Sequence, residues 1–463
     1  MTERNTTQIT EGVIWKQLLI FFFPILLGTF FQQMYNTVDT IIVGRFVGTQ
    51  ALAAVGSTSA LINLINGFFI GLSTGSSVVV SQFYGAGDHG GIKRSLGTNT
   101  VLAAVLGILA VLVGVLGGPQ LLRLIKTPES CIDDAILYSK IYFSGAAATV
   151  IYNMGSSILR AMGDSRRPMY FLIVTCFSNI VLDILFVVVL KQGIAGAAIA
   201  TVLSQIISAA LVVIALYRLP EDIRLDPRKL HVDPVLLRRV LVIGVPAGLQ
   251  FITFDLSNLL IQSGINSFGD ITVAAWAAFA KADGITWMVS GAFGVSITTF
   301  VGQNFGAQKY SRIRQSVWIC LGMSIATQLL ISTCTLTFRE FILGIYTTDA
   351  EVIRVGAYVM LWIIPFNALF MFVEVFAGTM RGTGYSVMPT AITGVCVCLF
   401  RVLWVLIMVS RWHAIEVLCI AYPLSWILAS IVFLIAYLRG TWLKKRIEIC
   451  GMAPEIRPQR KNA

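Results

Sequence analysis

The amino-acid sequence predicts an all-α integral membrane protein of twelve transmembrane helices, arranged as two pseudo-symmetric lobes of six. Three observations predict it: a composition that only lipid can solvate, twelve apolar stretches of crossing length, and an internal duplication that divides them six and six.

Hydrophobic residues make up 56% of the 463, and charged residues only 12%. Soluble domains are roughly 45–50% apolar, and the mean hydropathy of +0.81 lies far on the lipid side. The net charge of +11 does not point to nucleic acid, because the basic residues sit in short clusters between apolar segments rather than on one soluble face. Eight cysteines without a C-x-x-C pair give neither a disulfide framework nor a zinc site. His89, His231 and His413 are far apart and form no ligand cluster. No Gly-Lys dipeptide occurs, so the phosphate-cradling loop of ATPases is missing from the sequence and ATP is not the expected energy source. The polar start Met1-Thr-Glu-Arg-Asn5 lacks the basic region and cleavage site of a signal peptide. The first apolar segment is therefore expected to stay as an anchor.

A helix needs roughly 20 apolar residues to cross the hydrocarbon. Segments of that kind lie near 15–43, 52–80, 95–118, 134–160, 168–190 and 195–217, and again near 239–264, 271–301, 316–338, 352–380, 389–410 and 414–438. With the loops assigned to alternating sides, 24 of the 34 Lys and Arg fall on the side of both termini and 8 on the other, with Lys281 and Arg401 inside spans. The positive-inside rule then places both termini in the cytoplasm. The expected organisation is a lobe over 1–217, a cytoplasmic linker over 218–238, a second lobe over 239–440 and a cytoplasmic tail over 441–463. The basic cluster of Arg218, Arg224, Arg228, Lys229, Arg238 and Arg239 in the linker reads as topology-fixing.

The duplication shows when the chain is laid on itself. Phe21-Phe-Phe-Pro24 matches Ile243-Gly-Val-Pro246 at a shift of 222, and Asn36 matches Asn258 at the same shift. At 221, Ser81-Gln-Phe-Tyr-Gly-Ala86 lies over Gly302-Gln-Asn-Phe-Gly-Ala307, and Arg160-Ala-Met-Gly163 with Pro168 over Arg381-Gly-Thr-Gly384 with Pro389. Six crossings per half bring both halves into the membrane from the same side, related by an axis along its normal. A cleft between such lobes can open to each side in turn, so the repeat favours a carrier over a pore.

An ionisable side chain near mid-membrane costs at least about 2.5–3.5 kcal/mol and calls for a partner or a task. Asp39 lies six residues before Arg45 and Asp183 eight before Lys191, which sets both about 9–12 Å below the outer surface at 1.5 Å per residue. Gln32, Asn36 and Asp39 are spaced i, i+4, i+7 on the first span, and Asn179 and Asp183 i, i+4 on the fifth. Polar stripes on otherwise apolar helices should meet inside the lobe. Two carboxylates sharing a low-dielectric site cannot both be ionised without a cation, and amide and hydroxyl oxygens beside them suit either a proton carrier or sodium.

These residues resemble the multidrug and toxic compound extrusion (MATE) family over nearly the whole chain. The resemblance rests on the Pro24–Asp39 stretch, the Gln-x-x-Gly-Ala loop after the second and eighth spans, and the Arg-x-x-Gly then Pro pattern after the fourth and tenth. It implies a V-shaped pair of six-helix lobes around a central cavity and cation-coupled export of amphipathic, often cationic, compounds. It also implies an N-lobe cation site for which Asp39, Asn179, Asp183 and Thr201 are the matching residues, with Gln32 beside them. Other branches of the family carry ion-binding acids on the seventh and tenth helices, but Asp255 and Glu374 stand off that spacing. Glu374 with Arg401 reads as a structural pair, and Lys281 with Asp283 as neutralising Asp255. Asn36, Asp255, Glu374, Arg401 and Lys281 are candidate cavity residues. Pro24 removes a backbone hydrogen bond within the first span and is the candidate hinge.

The expected function is therefore an H+- or Na+-coupled antiporter of amphipathic cations, without a cofactor beyond the coupling ion. It is expected to be a multi-pass monomer of the cytoplasmic membrane. A flippase for a lipid-linked precursor is the alternative, and an enzyme is not expected because no nucleophile or metal constellation stands in the loops.

Overall fold

The computed structural model describes residues 9–125, 127–226 and 230–452. The N-terminal Met1-Thr-Glu-Arg-Asn5 segment, Arg228 and Lys229 of the basic linker, and 453–463 of the tail lie outside the described residues. Among those described, all regular structure is helical.

Eleven helices among the described residues are long and apolar enough to cross a membrane: Ile14–Val47, Thr49–Ala86, His89–Leu124, Arg166–Val189, Gly193–Tyr217, Pro234–Asn266, Asp270–Gly306, Tyr310–Thr337, Ala350–Gly382, Val387–Val409 and Ile415–Arg439. The predicted fourth crossing is two helices, Ile132–Ser144 and Ala146–Ala161, separated at Gly145. A Cβ on Gly145 would stand 2.6 Å from Val202 on the sixth span, so close helix approach accounts for the glycine and the glycine for the break. The tenth crossing is interrupted similarly by a tight turn, Ile364–Phe366, around Pro365.

One expectation about the loops is corrected. The Gln-x-x-Gly-Ala motifs after the second and eighth spans are not loops: Gln82 to Ala86 closes the helix Thr49–Ala86, and Gln303 to Gly306 closes Asp270–Gly306. Their side chains pack rather than dangle, since Gln82 and Gln303 are both buried.

The chain divides into two compact units. One is formed by Leu19–Tyr84 and Asp88–Asp255, and so takes in most of the first seven spans. Its core joins Val78, Val79, Phe143, Val150 and Ile194 with Val240 and Ile243 of the seventh span. The second and seventh spans touch almost backbone to backbone in this unit. Gly71 leaves no room for a Cβ against the backbone of Gly248, and a Cβ on Gly244 would meet the Leu72 carbonyl at 2.7 Å.

The other unit comprises Met1–Leu18, Gly85–Gly87 and Leu256–Ala463. Phe293, Phe300, Phe376, Trp426 and Phe433 fill its interior. At its edge Arg312 donates to the carbonyls of Ile9, Glu11 and Gly12 at 3.2, 2.9 and 2.8 Å, and Lys309 donates to Thr10 O at 3.0 Å. Arg312→Ala is expected to release this entry segment. With about 1.5 kcal/mol for the partly exposed set of bonds, amide hydrogen exchange at residues 9–12 should speed up roughly tenfold, and unchanged exchange there would reject the clamp.

Candidate cation site

Spans one and five end alike. The first passes from α-helix to a π turn at Val43–Val47, four residues beyond Asp39, and the fifth at Ile184–Val189, immediately after Asp183. A π turn carries one extra residue and leaves carbonyls misaligned, and such turns gather at functional sites. The two π turns touch each other, and both pack on the sixth span.

Asp39, Asn179, Asp183 and Thr201 are all buried in this unit, Asn179 and Asp183 completely. Asp39 and Asp183 are near enough to interact electrostatically. Six atoms of these four residues are buried without a hydrogen-bond partner: Asp39 Oδ1, both carboxylate oxygens of Asp183, both amide atoms of Asn179, and Thr201 Oγ1. Buried polar atoms are nearly always satisfied, and each one left alone costs about 1–3 kcal/mol. Five of the six are oxygens, three of them on carboxylates, and carboxylate oxygens left alone in a low-dielectric site call for positive charge. Such an oxygen set suits a proton or a hard monovalent cation. Among the described residues no three His, Cys, Asp or Glu side chains converge as a metal cluster would require.

Two phenols, Tyr35 and Tyr138, lie near Asp39 with a third, Tyr142, behind them, and the sequence reading passed them over. Tyr35 lies one helical turn before Asp39, is buried, and accepts a hydrogen bond from Gln205 Nε2 at 3.2 Å. Tyr138 lies within electrostatic reach of Asp39 and beside Thr201. Tyr142 stacks on Tyr138 with ring centroids 6.3 Å apart and accepts from Asn66 Nδ2 at 3.0 Å. The signal was present as Tyr35-x-x-x-Asp39 and Tyr138-x-x-x-Tyr142, but aromatic residues in apolar helices read as packing.

The proposed stripe on the first span is corrected in one member. Gln32 is half-buried on the face of Asp39, whereas Asn36 is exposed. At 100° per residue Asn36 stands 60° from Asp39 and Tyr35 only 40° from it on the other side. Asn36 belongs instead with Gln33 and Thr37 on an exposed polar strip. Lipid would reject such a strip, so it faces water. Pro24 is half-buried, and the helix Ile14–Ile42 runs through it unbroken.

The C-terminal candidates are placed differently from expectation. Glu374 does not pair with Arg401; it binds Arg381, two turns along its own helix, at 3.2 Å. The depth argument allowed the longer reach, but the i, i+7 neighbour is the nearer partner. Arg401 is fully buried, donating from Nε to Ser425 Oγ at 2.8 Å, with its guanidinium 4.1 Å from the Tyr422 ring centre and 5.3 Å from that of Trp426. The two oxygens of Asp283 accept from Asn367 Nδ2 and Trp287 Nε1, each at 2.9 Å. Lys281 is exposed, and Asp255 is half-exposed in the first unit.

An all-helical membrane fold built on an internal repeat, with polar groups gathered inside its helices, defines the class: a multi-pass membrane transporter. The chain belongs to the MatE family, a transporter family rather than an enzyme family. Its family model matches twice, over residues 24–185 and 246–407, beginning each time at the proline that opens the repeat. The chain is 28% identical to the probable multidrug resistance protein YoeA of Bacillus subtilis, over 96% of this chain and 97% of that one. It is 29% identical to the probable multidrug resistance protein YpnP of the same organism, over 94% and 97%. A multidrug resistance MATE family transporter solved in an outward-facing conformation superposes with a TM-score of 0.89 over 96% of this chain and all of that chain, at 22% identity.

Proposed function

We propose that this transporter exports amphipathic, mostly cationic, organic compounds from the cytoplasm in exchange for an inward-moving H+ or Na+. The single observation that carries the reading is the cluster of six unpartnered buried atoms on Asp39, Asn179, Asp183 and Thr201, with Gln32 on the face of Asp39. A site with two acids and no basic partner holds a small cation or pays its desolvation cost unrelieved. Relatives named for multidrug resistance support the export of diverse organic compounds.

Lobes over 1–217 and 239–440 would alternate access, with both termini cytoplasmic and a single chain sufficient. Pro24 would act as the hinge. Occupation of the Asp39–Asp183 pocket changes the bend it permits in the first span, and the exposed strip of Gln33, Asn36 and Thr37 moves with it. A flippase for a lipid-linked precursor has less support, because an acidic pocket repels a pyrophosphate.

The test is transport of a fluorescent organic cation by purified protein in liposomes, with a pH gradient and a sodium gradient imposed separately. The expected result is accumulation driven by one gradient and not by the other. Accumulation that ignores both gradients would reject coupling.

A further inference from the structure

The unit formed by Leu256–Ala463 holds a polar cluster of the opposite sense. Arg401 is 2% exposed and Trp426 is 1% exposed. Arg401 Nη2 and Trp426 Nε1 both lack a hydrogen-bond partner, and the guanidinium lies over the Trp426 ring. The acids of this unit's interior are already engaged: Glu374 with Arg381, Asp283 with Asn367 and Trp287, while Glu416 accepts from Tyr358 at 2.7 Å. Among the described residues no carboxylate forms an ion pair with Arg401. Two unsatisfied donors side by side, one of them charged, ask for one negatively charged acceptor.

The repeat gives the cluster its meaning. At the shift of 221 to 222 that relates the halves, Asn179 falls on Phe400 or Arg401, and Thr201 on Tyr422 or Pro423. The π turn Gly394–Leu399 supplies the additional residue that carries the shift from 221 at Pro389 to 222 at Arg401. Arg401 therefore occupies the repeat position of Asn179, with a charged donor where the first half has an amide, and Tyr422 adjoins Pro423 at the repeat position of Thr201. Access is short. Ser257 of the seventh span donates to Cys398 O, one turn before Arg401, at 3.4 Å. Its neighbour Asn258 lies with Gln262 and Asn266 on a polar face of that helix, and Asn258 and Asn266 are exposed. Tyr422, itself only partly buried, covers the guanidinium.

We infer that Arg401 and Trp426 form a recognition site for a single carboxylate carried by the exported compound. One guanidinium balances one negative charge, which fits a monocarboxylate and not a pyrophosphate. The inference rests on the export function proposed above for its substrate, and on Arg401 and Trp426 alone for its site.

The experiment uses the full chain in liposomes and two xanthylium dyes with one chromophore, one bearing a free carboxylate and the other its methyl ester. Arg401→Gln is expected to lower transport of the acid about tenfold relative to the ester. Trp426→Phe should act in the same direction more weakly, and Arg401→Lys should retain part of the preference. Equal loss for both dyes, or no loss for the acid, overturns the site. Failure of the wild type to move either dye counts against export instead. The site is then read from the melting temperature in acetate and in chloride. A rise with acetate that disappears in Arg401→Gln supports it, whereas no rise, or an equal rise with chloride, overturns it.

Discussion

Asp39→Asn and Asp183→Asn, made singly, are expected to flatten ion-driven accumulation of an organic cation in proteoliposomes while leaving the protein folded. An amide keeps the volume of the carboxylate and removes the charge that recruits the coupling ion. Coupling between two sites is typically about 1–3 kcal/mol, so accumulation should fall about 5–150-fold. Passive exchange of labelled for unlabelled substrate, which needs no coupling ion, should persist. Stability should move in the opposite direction from activity. Each wild-type acid is buried without a partner, and removing an unsatisfied charge relieves about 1–3 kcal/mol of desolvation. The melting temperature of both variants should therefore hold or rise. A sharp fall in melting temperature would show the acids holding helices together, and undiminished accumulation would show that the ion binds elsewhere.

Much of the fold was legible because lipid simplifies the reading. Length and hydropathy set the crossings, and the matches at Pro24 and Pro246 and at Pro168 and Pro389 set the repeat. What escaped was local helical geometry. Nothing in the apolar run 134–160 announces that Gly145 breaks it, because the cause is Val202 on another helix. The π turns after Asp39 and Asp183 are equally silent, since neither Val-Gly-Arg-Phe-Val nor Ile-Leu-Phe-Val-Val-Val differs in kind from the end of an ordinary α-helical span. At the site, burial of Asp39, Asn179, Asp183 and Thr201 follows from the rule that charge in a span must face inward. The tyrosines did not follow, because a phenol can pack as a hydrophobe or serve as a polar group, and only its neighbours decide. Glu374 shows the converse limit. Depth alone allowed the pairing with Arg401, whereas the carboxylate binds Arg381 two turns along its own helix.

Gly71→Val is expected to be the most damaging single substitution in the contact between the second and seventh spans. Gly67, Gly71 and Gly75 recur every four residues on one helix, Gly244 and Gly248 on the other, the small-residue spacing that lets membrane helices approach closely. A Cβ at Gly71 has no space beside the Gly248 backbone, one at Gly248 would meet the Phe68 carbonyl at 2.8 Å, and one at Gly67 would stand 3.1 Å from Phe251 Cβ. Backbone cannot step aside as a side-chain tip can, so the helices must separate and surrender their contacts over several turns. Overpacking of this kind costs about 1–3 kcal/mol for one methyl and more for a branched side chain, so melting temperature should fall in the order wild type, Gly71→Ala, Gly71→Val. Gly56 on the same second span provides the contrast, because a Cβ there meets nothing within 4 Å. Removing a glycine from an open helical position gains about 0.5–1 kcal/mol of backbone entropy, and Gly56→Ala should melt at or slightly above the wild type. Close approach of the two helices is refuted if Gly71→Ala and Gly56→Ala shift the melting temperature alike.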